Sequence, residues 1–126
     1  MYDPPSPQTL VTAVREFLEQ QALPKLEGRT AFHARVAANA LAIVERQLEQ
    51  GPERDAAEER RLVALLGRHG GLDELNRELC RRIRDGALGL EDDALMDHLR
   101  ETTLAKLAAD QPRYSGYRRA LERGVG

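Results

Sequence analysis

Four polar residues set into one apolar helix face are where this sequence could do chemistry. Between residues 29 and 50 apolar side chains recur at helical spacing. At about 100° per residue, Phe32, Ile43, Val36, Ala40, Val44, Ala37, Leu48 and Leu41 spread over one broad arc. Asn39 falls between Phe32 and Ile43 on that arc, and His33 between Ala40 and Val44. Arg35 and Arg46 flank Asn39 at its edge. On one reading these groups are structural: a buried amide or imidazole must be hydrogen-bonded, since leaving it unpaired costs about 1–3 kcal/mol. On the other they converge on a small anionic ligand. His33 would then act as general acid or base, and Arg35 or Arg46 would hold a carboxylate or phosphate beside Asn39.

A second candidate lies at the C-terminal end. There Arg113, Tyr114, Tyr117, Arg118 and Arg119 interleave the two residue types that most often anchor interfaces. From Gln111 onward four Arg face only Glu122, so this tail is +3 while the rest of the chain is −5. It suits docking to an acidic partner, or packing over the end of its own domain. Arg81, Arg82 and Arg84 form another basic cluster, explained without function by the dipole at a helix C-terminus.

Other chemistries find little support. His33, His69 and His98 fall on different expected helices, and none has a Glu three residues before it, so the paired Glu-x-x-His pattern of di-iron bundles is missing. Cys80 is the only cysteine, which disfavours structural zinc and excludes an internal disulfide. It reads as a small core residue beside Leu79 and Ile83. Ser6 reads as a helix cap and Ser115 lies in a turn, with no Gly-x-Ser-x-Gly elbow. Gly70-Gly71 is not followed by the Gly-Lys-Ser/Thr of a phosphate loop. No cofactor motif is present.

The elements that must position these residues are all helical. Residues 1–6 form a Pro-rich extended lead-in. Ser6 then caps a first helix over residues 7–22, with Pro7 at its first position and Leu10, Val14, Phe17 and Leu18 on one face. Pro24 ends or bends it. A second helix covers 29–50, and its wide apolar arc places it at the centre of the bundle; Gly51-Pro52 should stop it sharply. A third runs from Pro52 to just before Gly70, its first half (53–61) charged and exposed, its second half burying Leu62, Leu65 and Leu66. A fourth follows from an Asp73 cap to Asp85, with Leu75, Leu79 and Ile83 inward. A fifth opens at Glu91 or Asp92 and lays Leu95, Met96, Leu99, Leu107, Thr102 and Thr103 along its inner side until Pro112. A short last helix over 117–123 remains open. The connections are short, so consecutive helices should be antiparallel.

The expectation is therefore an all-α antiparallel bundle of about five helices, one domain over residues 1–126 with a basic tail over 111–126. The net charge of −2 argues against nucleic acid as the main partner. No apolar run reaches transmembrane length, the start carries no signal-peptide pattern, and the lone thiol suits a reducing compartment, so a cytoplasmic location is expected. Oligomeric state is open.

Several stretches resemble a bacterial helical domain family of unknown function. They are Met1-Tyr2-Asp3-x-Pro5, the run from Phe32-His33-Ala34-Arg35-Val36 to Ala37-Ala38-Asn39-Ala40-Leu41, Leu75-Asn76-Arg77-Glu78-Leu79-Cys80, and Gln111-Pro112-Arg113-Tyr114. The likeness covers nearly the whole chain, and the run over 32–41 is its most specific part. Members are often encoded beside, or fused to, kinase-like proteins of the aminoglycoside phosphotransferase type, with acyl-CoA dehydrogenase genes as frequent neighbours. The resemblance implies an accessory interaction module for one of those partners in acyl-CoA or related metabolism. It supplies no catalytic residue. The family's ending tends to read Asn-Pro where this chain has Gln111-Pro112.

Overall fold

The structure, a computed structural model, describes residues 3–124; the calls on Met1 and Tyr2 of the lead-in, and on the last two residues of the tail, lie outside them. The described residues are all-α, with five α-helices: α1 (Pro7–Phe17), α2 (Gly28–Leu66), α3 (Leu72–Arg84), α4 (Asp93–Asp110) and α5 (Ser115–Gly124). None is long and apolar enough to cross a membrane. Two compact units divide the chain, Met1–Gly51 and Pro52–Gly126.

The first unit is a helical hairpin. Ser6 caps α1 as expected, its hydroxyl accepting from the Thr9 amide at 3.1 Å, and Pro7 takes the first turn. The α-helix ends at Phe17, earlier than the sequence suggests. A π turn (Leu18–Ala22) and a 3₁₀ turn (Leu23–Lys25) carry the chain on through Pro24. The side of α2 that packs inward is lined by small residues. Ala31 and Ala38, seven apart, are its buried apolar positions, and seven residues further on Glu45 is tied back to α1.

Helix 2 does not stop at Gly51-Pro52. It continues through Pro52 for 39 residues in all, merging the second and third expected helices. Proline deletes one intrahelical bond and crowds one carbonyl, at a cost of about 3 kcal/mol. The strong helix formers on both sides, and the contacts of residues 54–66 described below, outweigh that single defect. The real terminus is Gly67, whose φ of +70° gives the left-handed turn that closes a helix; Gly70 and Gly71 lie beyond it.

The second unit holds the apolar core. Leu62, Leu66, Leu75, Leu79 and Leu95 are buried together, with Val63, Leu65, Leu72 and Leu88 packed against them. Leu62 and Leu75 are fully enclosed. α3 starts at Leu72 after an extended Gly71, one residue before the expected cap. Asp73 therefore sits in the first turn, where its charge still favours the helix dipole, and pairs with Arg77 at 2.8 Å. Asp92 precedes α4 as expected, but its Oδ2 accepts from the Gly89 amide of the preceding loop at 2.7 Å. Cys80 is exposed, not a core residue; one step past Leu79 turns it about 100° off the buried stripe. The short last helix is present and longer than expected.

Candidate functional site

Each polar residue of the 32–41 run lies on the exposed surface of α2. His33, Arg35 and Asn39 are exposed, and Arg46 is half-buried with a partner of its own. The imidazole of His33 meets the neighbouring Phe32 ring edge-on, centroids 5.6 Å apart. The reason is the facing of the helix: α2 turns Ala31 and Ala38 inward, and much of the more strongly apolar arc points outward. Phe32 is 59% exposed, and Val36, Val44 and Leu48 are exposed as well. α1 repeats the pattern, leaving Leu10, Val14 and Phe17 exposed. Singly exposed apolar residues need no explanation, but seven large ones within one hairpin do.

Polar contacts also join the two helices of the hairpin. Glu45 accepts from the Thr12 hydroxyl and from Nε of Arg15. Arg15 also pairs with Glu19 at 2.9 Å. The Arg15 bond, then the Thr12 bond, lower the Glu45 pKa below the usual carboxylate value against an opposing effect of burial.

A second polar cluster sits inside the second unit, where the sequence pattern suggested only an exposed charged stretch. Arg54, Glu58 and Arg61 of α2 are half-buried. Arg54 donates to the Ala105 carbonyl of α4 at 2.8 Å. Glu58 accepts from the Asn76 amide of α3 at 3.0 Å. Arg61 reaches α4, donating to Nδ1 of His98 at 3.4 Å and to the Thr102 hydroxyl at 3.3 Å. His98 is 3% exposed. Burial, and then the adjacent Arg61 cation, lower its pKa, opposed by Glu58. The signal was in the spacing: positions 54, 58, 61, 62 and 65 share a face, and charge alone hid it. The cluster is half-buried and cross-links three helices, and each of its side chains is engaged by a neighbour, so its chemistry is structural.

In the tail, Arg113 and Tyr114 precede α5, while Tyr117, Arg118 and Arg119 lie on it. All are exposed except the half-buried Tyr117. The Tyr114 ring folds back over Gly116, where a Cβ would come within 2.6 Å of it. Arg81 and Arg82 on α3 both pair with Glu78, at 2.6 and 2.9 Å, so that basic cluster is partly neutralised. Among the described residues no group of three or more His, Cys, Asp or Glu is placed to hold a metal ion.

Comparison with curated proteins and with solved structures finds no match. The model of one family, described as Domain of unknown function (DUF6285), matches residues 24–114, from the turn before α2 to the start of the tail, and the chain belongs to that family.

Proposed function

We propose that this chain is an interaction module whose hairpin buries its exposed apolar stripes against a partner protein. The observation that carries the reading is the first unit itself. Among its described residues the buried apolar positions are two small ones, Ala31 and Ala38, while Phe17 and Phe32 stand 58% and 59% exposed. Each ring leaves on the order of 100 Å² of apolar surface in water. Leu10 and Val14 of α1 and Val36, Val44 and Leu48 of α2 are exposed as well, and exposed apolar area of several hundred Å² marks interaction surfaces. The partner class follows from the family resemblance: a kinase-like protein of the aminoglycoside phosphotransferase type, or an acyl-CoA dehydrogenase-like enzyme. The module would be an accessory subunit rather than a catalyst.

The test mixes the purified chain with the kinase-like and dehydrogenase-like proteins encoded beside it and measures mass by light scattering after gel filtration. The expected result is a stable complex with one of them, burying at least about 1,200 Å², that Phe17→Glu with Phe32→Glu abolishes. Both rings are exposed, so the variant should keep the core of the second unit intact. No complex with either protein, or a complex indifferent to that variant, would overturn the reading.

A further inference from the structure

Three arginines from two helices of the second unit line a single cleft. Arg100 comes from α4, Arg119 and Arg123 from α5, and Gly116 and Ala120 complete the lining. The cleft is open to solvent and offers about 500 Å³, within the range of small-molecule sites. Arg100 is fixed in place by donating from Nη2 to the Ala120 carbonyl at 3.3 Å. Its guanidinium occupies space that a side chain at position 124 would block: a Cβ on Gly124 would collide with that same nitrogen.

Among the described residues no carboxylate lies in ion-pair range of Arg100, Arg119 or Arg123, whereas Arg81 and Arg82 share Glu78. Guanidinium groups keep their charge at any physiological pH. Three of them lining one cleft repel one another until an anion enters. Gly116 adds the first turn of α5, where backbone N–H groups and the helix dipole also favour negative charge.

We propose that the Arg100–Arg119–Arg123 cleft is a binding site for the phosphate group of a small phosphorylated molecule. Three cations match a group carrying about two negative charges and three acceptor oxygens better than they match a single carboxylate. Arginine forks bind such oxygens in pairs. The site is separate from the hairpin stripes, so it stands or falls independently of the interaction module.

Amide chemical shifts, followed while inorganic phosphate and then pyrophosphate are titrated into the full chain at constant ionic strength, test the assignment. Saturable shifts are expected at Gly116 and Ala120, with pyrophosphate binding more tightly. Arg119→Gln and Arg123→Gln should each weaken binding about 10-fold or more, as loss of a charge-assisted bond predicts. Arg113→Gln, outside the cleft, should leave it unchanged. Neither Arg119 nor Arg123 supports a buried contact, so both variants should fold, which their unshifted core amides would verify. Shifts that chloride reproduces at equal ionic strength would mean an adventitious ion only and would overturn the proposal. So would binding that survives both substitutions.

Discussion

Arg61 donates its Nε–H to Nδ1 of His98 across the α2–α4 seam at 3.4 Å, and so fixes the imidazole as an acceptor facing a permanent cation. A neutral imidazole that accepts at Nδ1 carries its own proton on Nε2. A protonated one would have to turn that position from acceptor to donor, against Arg61, with His98 itself only 3% exposed. The fold therefore selects neutral His98, and its pKa is pushed below the 6.5 of a free histidine.

Stability should follow from that shift. Above about pH 6.5 both folded and unfolded chains hold His98 neutral, and the folded state keeps its full advantage. As pH falls below that value the unfolded chain takes up the proton first, so stability declines toward the lowered folded pKa. Urea unfolding at pH 7.5, 6.5 and 5.5 should show a progressive fall in midpoint. His98→Gln should lower stability at pH 7.5 but flatten the slope. An equal slope in that variant would place the titration elsewhere.

Glu45 acts lower on the pH scale and in the other unit. Its pKa is depressed by Arg15 and Thr12, so its contribution is complete above the ordinary value of 4.5 and is lost as pH falls through the depressed one. Glu45→Gln should loosen the hairpin by on the order of 1 kcal/mol at neutral pH. Amide exchange in α1 should then speed up, while protection around Leu62 and Leu75 stays as before. Unchanged exchange in α1 would show that the Glu45 contacts do not hold the hairpin.

The helical class was legible because Ala, Leu, Arg and Glu dominate and apolar residues recur at helical spacing. The Ser6 cap, the α3 stripe through Leu75 and Leu79, and the Leu62–Leu66 face were legible for the same local reason. What the pattern hid was facing. An apolar arc on α2 reads as a buried one, yet the structure turns Ala31 and Ala38 inward and leaves Phe32 and Val36 out. Conversely Arg54, Glu58 and Arg61 read as a solvated surface, but each finds a specific partner on a helix distant in sequence. Periodicity reports which residues share a face; only tertiary pairing decides which face is covered. The arginine cleft was half visible, because Arg119 stood out in the basic tail while Arg100 lies on another helix.

Leu75 and Ile83 lie two turns apart on α3 and should differ sharply when truncated. Leu75 is fully enclosed and Ile83 is 40% exposed. Leu75→Ala should cost about 2–5 kcal/mol through lost burial and a residual cavity. Ile83→Ala should cost under about 1.5 kcal/mol, because the surroundings and solvent close over the gap. Chemical denaturation with matched m-values separates the two. Similar losses would mean that Ile83 is covered in solution, which would extend the interaction surface to α3.

Pro52 offers the sharpest test of the continuous α2. It lies inside the helix, cannot donate to the Leu48 carbonyl, and crowds it with its ring. Pro52→Ala restores that donor and replaces the poorest helix former by the best, a difference of up to about 3 kcal/mol in an unstrained helix. The unfolded chain also gains freedom when proline is removed, which offsets part of the gain. The net expectation is a stabilisation of about 1–2 kcal/mol, with slower amide exchange at residues 50–54 and no change in the helical content measured by circular dichroism. If the helix instead breaks at Gly51-Pro52 in solution, alanine would extend it and helical content would rise. A loss of stability would show that the native fold selects the proline-imposed geometry at position 52 over an uninterrupted backbone ladder.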